Sequence, residues 1–193
     1  MLIDDYQIQM VADRMSEEDF FAFCQANRDF RIERDEEGNI IIMTPTGSET
    51  GTYNVKISAL LFNWNEEQSG GYVFDSSTGF RLVNGAVRSP DASWVSKDKW
   101  ESLSLEDRRK FAPICPDFVI ELRSETDSLD KLKEKMLEYI ANGCLLGWLI
   151  DRPHQSVFIY RANGTISLIE SFDQSLAGEA VLPGFVFPLS VLK

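Results

Sequence analysis

The period of apolar positions changes several times along the chain, and each change marks an element. Ser16 followed by Glu17, Glu18 and Asp19 is an N-cap with acids in the first turn, and it predicts a helix through Phe20, Phe21, Phe23 and Cys24. Phe30 to Arg34 alternates apolar and polar, turns over Asp35 to Asn39 and returns as Ile40-Ile41-Ile42-Met43, a hairpin pattern. Thr44-Pro45-Thr46-Gly47 breaks the strand and Ser48 is placed to cap a second helix, from about Glu49 to about Gln68. Tyr53, Ile57, Leu60, Leu61 and Trp64 share one face of it, and Gly70-Gly71 is the expected stop. Strands follow at Tyr72–Phe74, Phe80–Val83, with a tight turn at Asn84-Gly85, and Ala92–Ser96. Residues 97–115 are polar and read as a surface excursion, helical around Leu105 to Lys110.

The stretch Pro116-Asp117-Phe118-Val119-Ile120-Glu121-Leu122-Arg123-Ser124 is an apolar β run that carries a carboxylate near its C-terminal end. Glu121 alternates to the face opposite Ile120, and a carboxylate beside a core strand is costly to bury without a compensating charge or metal. An amphipathic helix follows from about Ser128 to Asn142 and stops at Gly143. Then come a buried strand at Leu145–Ile150, a hairpin of Val157–Tyr160 and Thr165–Ile169 around Asn163-Gly164, and an apolar tail from Leu182 to Leu189. The order of hairpin, helix, strands, helix, strand and hairpin predicts mixed α/β architecture in a single domain over 1–193.

Composition narrows the chemistry. With 44% hydrophobic and 26% charged residues the chain reads as an ordinary soluble globular protein. No apolar run approaches the roughly 18 residues of a membrane span, and the acidic N-terminus, Met1-Leu2-Ile3-Asp4-Asp5, does not read as a signal peptide. Three scattered cysteines, Cys24, Cys115 and Cys144, form no disulfide framework or CxxC knuckle and suit a reducing cytoplasm. The net charge of −12, from 19 Lys+Arg against 31 Asp+Glu, argues against non-specific grip on a phosphate backbone. Any nucleic-acid contact must come from a local basic patch or a metal-charged cleft. With His154 as the one histidine, placed after Pro153 in a turn and given no role, nucleophile–histidine and multi-histidine metal chemistry have almost no material.

Asp91 enters one strand and Glu121 leaves another, and the intervening chain can set those strands side by side. Two carboxylates at one sheet edge suit a hard cation such as Mg²⁺, with a backbone carbonyl and waters completing the shell. The next helix adds an amine. Leu129, Leu132, Met136, Tyr139 and Ile140 form its apolar stripe, with Lys135 at one edge, Lys133 near the other and Lys131 toward solvent. Periodicity leaves Lys133 and Lys135 as equal candidates. Each residue also has a plain reading: Asp91 as a turn residue, Glu121 where a strand surfaces, a stripe-edge lysine that snorkels, Glu49 as a first-turn acid and Tyr139 as core.

At Ser89-Pro90-Asp91-Ala92, then 116–124, Glu134-Lys135-Met136-Leu137-Glu138-Tyr139 and Gly147-Trp148-Leu149-Ile150-Asp151, the sequence resembles a large bacterial family of restriction-endonuclease-like proteins in the PD-(D/E)xK nuclease superfamily. The likeness runs from Met43-Thr44-Pro45 to Pro183-Gly184-Phe185. It implies a mixed central sheet flanked by helices, here with added N-terminal and C-terminal hairpins, often in a homodimer, and a Mg²⁺-dependent DNA-cleaving site at which Mn²⁺ is an alternative ion. Pro90-Asp91 matches the motif's PD and Glu121 its second acid. Position 123, where the superfamily expects lysine, is Arg123, and the family's displaced lysine matches Lys135. By the same resemblance Asp91 and Glu121 hold the ion with the Leu122 carbonyl, and Lys135 orients the attacking water and offsets phosphate charge. Glu49 matches an acid of the first core helix, followed here by Thr50 where many relatives carry histidine. The function expected is a DNA endonuclease. Its rivals are a silent scaffold on the same fold and a hydrolase of small phosphodiesters.

Overall fold

The computed structural model describes residues 15–193, and the leader-peptide expectation falls outside them. Helix α1 (Glu17–Ala26) starts at the predicted cap, where the Ser16 hydroxyl accepts the Asp19 N–H. The hairpin forms as β1 (Arg31–Arg34) and β2 (Ile40–Met43), with Ile32 opposite Ile42. Helix α2 (Ser48–Gln68) begins one residue earlier than the pattern suggests: Ser48 lies inside it, and the cap is Gly47, which has no side chain to bond. Its last residue, Gln68, is the expected one, but the stop differs. Ser69 adopts the left-handed conformation (φ 53°) and closes the helix, leaving Gly71 a different task. A Cβ at Gly71 would lie 2.2 Å from the Val95 carbonyl oxygen, so that glycine permits the close approach of β3 (Gly71–Asp75) to β6 (Ala92–Ser96).

The predicted strand at 80–83 shortens to β4 (Phe80–Arg81), because the Leu82 N–H bonds the Ala86 carbonyl (2.8 Å) and the chain turns back at once into β5 (Val87–Arg88). The segment after β6 holds two short helices, α3 (Lys97–Glu101) and α4 (Leu105–Arg109). It is not wholly superficial: Ala112 packs with buried Phe80 and Val95, and Cys115 is buried too. Then follow β7 (Phe118–Arg123), α5 (Leu129–Ala141), β8 (Leu146–Asp151), β9 (Ser156–Arg161), β10 (Ile166–Ile169), β11 (Ser175–Ala177) and β12 (Val186–Pro188). Strand β11 went unread in the sequence; it pairs with β12 and pins the apolar tail.

The main sheet has six strands in the order β10-β9-β8-β7-β6-β3. Its pairs are antiparallel except β7 with β8, which α5 joins as a crossover. A second sheet, ordered β2-β1-β5-β4, carries the N-terminal hairpin. Alternation along β7 sorts the core into two layers. Phe118, Ile120 and Leu122 face Ile57, Leu61 and Trp64 of α2 and the tail's Phe185 and Phe187. Val119 faces Met136 and Tyr139 of α5. Burying such a side chain fully contributes about 1.5–3 kcal/mol, so both helices are firmly seated on the sheet. At Gly147 a Cβ would fall 2.4 Å from Met136 Cε, so the missing side chain lets α5 sit close. No helix among the described residues is long and apolar enough to cross a membrane.

Candidate active site

Register decides where the two acids meet. Trp94 pairs with Phe118, Ser93 with Val119 and Ala92 with Ile120. One step further along the same ladder sets Asp91 opposite Glu121. Strand β6 has ended there, so the Leu122 N–H lacks a ladder partner and donates instead to Asp91 Oδ2 (2.9 Å). Glu121 lies on the α5 face and is only 3% exposed. Its Oε1 accepts from Lys135 Nζ (2.9 Å) and from the Tyr139 hydroxyl (2.9 Å), two side chains one helical turn apart.

The structure thus brings Asp91, Glu121 and Lys135 together. Lys133 points elsewhere, its ammonium 4.7 Å from the centroid of the Phe158 ring. Arg123 sits in the site's expected lysine position but pairs with buried Asp151, its register partner on β8 (2.9 Å), and lies 3.2 Å from His154 Nδ1. Glu49, in the first turn of α2, is exposed and joined to Arg152 (2.8 Å) and to the Tyr53 hydroxyl (3.3 Å). It lines the same cleft without a bond to the Asp91–Glu121–Lys135 group.

Three residues were missed from sequence. Glu33 of β1, 2% exposed, accepts from Lys135 Nζ (2.9 Å), from the Ser89 N–H (2.9 Å) and from Arg88 (3.4 Å). Its one signal was a charged residue registered against an apolar strand, opposite Ile41. Arg31 pairs with Asp91 Oδ1 (3.1 Å). Tyr139 is core, as read, but its hydroxyl is also a site group. Behind them Arg88 binds Glu138 (2.5 Å), which ties β5 to α5.

Electrostatics follow from burial and crowding. Burial is the largest influence on Glu121, and with the charges of Asp91 and Glu33 it outweighs Lys135, pushing the carboxyl up to about 7. Burial pushes the other way on Lys135, but Glu121 and Glu33 outweigh it and hold the amine above its ordinary value, so it is a cation. Burial raises Glu33 too, yet Lys135, Arg88 and Arg31 bring it below the usual carboxylate range. These groups line a cleft of about 1690 Å³ with eleven acidic and six basic residues on its walls. The cleft is therefore acid-biased, and its basic side chains alone do not make it attractive to a polyanion.

A six-stranded mixed sheet between α2 and α5, with acids converging where β6 and β7 part, defines a protein of the restriction-endonuclease-like fold. A crystal structure described as a putative nuclease belonging to DUF820, from Anabaena variabilis, superposes with a TM-score of 0.70 over 83% of this chain and 88% of that one, at 21% identity. The chain belongs to the Uma2 family, described as "Putative restriction endonuclease", whose model matches residues 17–191. No curated protein matches it.

Proposed function

We propose that the protein is a Mg²⁺-dependent endonuclease that hydrolyses DNA phosphodiester bonds. One observation carries the reading: two buried carboxylates, Asp91 just before β6 and Glu121 of β7, meet the largely covered ammonium of Lys135 from α5 on one wall of a long cleft. The donor set suits Mg²⁺ or Mn²⁺. Among the described residues no three or more acidic, histidine or cysteine side chains form a closed cage, and Mg²⁺ is ordinarily held by one or two carboxylates with the rest of its shell water and substrate oxygen. The raised carboxyl of Glu121, unfavourable when ionised, is what a neighbouring cation would relieve. Asp91 and Glu121 would hold the ion. The Leu122 carbonyl leaves the strand on the same side as its N–H, toward Asp91, and supports a third contact. Such an ion supplies Lewis-acid polarisation of the phosphoryl oxygen and an activated water.

Lys135, a cation held between Glu33 and Glu121, has no free electron pair to take a proton. It orients the water and offsets charge developing on the phosphate. Glu49 belongs to the cleft mouth, where it fixes Arg152 beside an incoming strand. The cleft's size favours a polymer over a small phosphodiester, since small-ligand pockets run to about 300–1,000 Å³. For a homodimer, exposed Val55 and Phe62 of α2 beside β3, one of the two edge strands of the main sheet, offer an apolar surface. The cysteines, one half-buried and two buried, are all free, which accords with a cytoplasmic setting.

Plasmid nicking with Mg²⁺ and Mn²⁺ tests the reading. Glu121→Gln and Lys135→Ala should each lower the rate by about 100-fold or more, the scale of losing a charge-stabilising group, and Glu49→Ala by less than about tenfold. Nicking that survives the first two substitutions rejects the site. No cleavage by the wild type with either ion favours a silent scaffold. Turnover of a chromogenic phosphodiester that added DNA leaves unchanged favours the small-substrate enzyme.

A further inference from the structure

Asp91 is already engaged on both oxygens. Its Oδ2 is fixed by the Leu122 N–H, part of the β7 backbone, while Oδ1 faces the Arg31 guanidinium at 3.1 Å. Arg31 also donates through Nη2 to the Ser89 carbonyl. Its Nε is buried and has no acceptor among the described residues, so the fork is only partly satisfied. The side chain lines the cleft, and Asp91, Glu121 and Glu33 all act on it electrostatically.

A guanidinium and a divalent cation cannot both press against Oδ1 without repulsion. The backbone N–H on Oδ2 cannot leave without unravelling β7. Arg31, on a flexible stem and with an orphaned Nε–H, can leave. We propose that Arg31 is an internal counter-ion: it occupies Asp91 while the cation is away, yields Oδ1 when one binds, and turns into the cleft. There its freed N–H groups are donors for a phosphate oxygen of the bound strand. The inference rests on the reading of Asp91 and Glu121 as a cation site.

Calorimetric titration with Mn²⁺ alone, at pH 8 and without nucleic acid, tests it on wild type, Arg31→Gln, Arg31→Lys and Asp91→Asn. Arg31→Gln should bind Mn²⁺ about tenfold more tightly than wild type, and Mn²⁺ should raise its Tm by more. Arg31→Lys keeps the charge but lacks the rigid guanidinium fork that spans Asp91 and Ser89, and should bind about threefold more tightly. It carries the test if the glutamine variant does not fold. Equal or weaker binding by the Arg31 variants, with Asp91→Asn much weakened, overturns the counter-ion role and leaves the site reading standing. Wild-type affinity in Asp91→Asn, or no Mn²⁺ bound by any form, removes the site reading and this inference with it.

Discussion

In the cation-free protein Glu121→Gln should gain stability on the wild type as pH rises to neutral, while lowering the proposed activity by about 100-fold or more. In the fold the carboxyl is pushed from its ordinary 4.5 to about 7, first by burial and then by Asp91 and Glu33. A raised acid binds more protons folded than unfolded between those values, so stability falls as pH rises through the window. At about 1.4 kcal/mol per pH unit, the interval corresponds to about 3 kcal/mol. Glutamine is neutral throughout, and its oxygen can still accept from Lys135 and Tyr139. Its amide sets a fixed penalty that does not depend on pH. The unfolding free energy of Glu121→Gln minus that of wild type should therefore rise by about 3 kcal/mol from pH 4.5 to 7.5 and then level off. Urea unfolding followed by tryptophan fluorescence, in chelator across that range, measures it. A difference that stays flat, or that moves in the wild type's favour as pH rises, would show that Glu121 is not held in an unfavourable ionised state.

Tyr139→Phe removes one donor from Glu121 and should cost about 1.5–3 kcal/mol at pH 8, where the acceptor is charged, and less at pH 5, by the same unfolding assay. Glu33→Gln strips a buried anion from Lys135 and Arg88 and should cost about 3–5 kcal/mol at pH 7. Because Glu33 titrates low in the fold, that loss should shrink as pH falls below 4.5, the ordinary value. Gly71→Ala drives a Cβ into the backbone of β6 and should lower Tm more than Gly147→Ala, whose new methyl meets side chains, the flexible end of Met136 first and then Val119 Cγ2, and no backbone.

Much of this was readable in the sequence because the decisive elements obey simple periods. The apolar run of β7 and the stripe of α5 each announced themselves, and Gly143 marked the helix's end. The pairing of Asp91 with Glu121 followed from the expectation that neighbouring strands pair, although register came only with the fold. Lys133 and Lys135 flank the stripe alike, and helical geometry does not separate them. What separates them is that Phe158 of β9 lies under one and Glu121 under the other. Arg31 and Glu33 stayed hidden because their partners lie 55 to 102 positions away and a hairpin's alternation predicts only that they are polar. The capping residues of α2 were misassigned for a local reason: a serine entered the helix that it was expected to cap, and another took the left-handed turn expected of glycine.

The site's acid and its amine sit on separate bodies, one on the sheet and one on a helix that rests against it through Met136 over Gly147. Had the lysine stood at 123, strand geometry alone would have set the spacing. Here that spacing is set by how α5 packs against the sheet. A slide of α5 by a fraction of an ångström changes how the ammonium is divided between two carboxylates, so repacking beneath the helix tunes the chemistry without touching a reactive group.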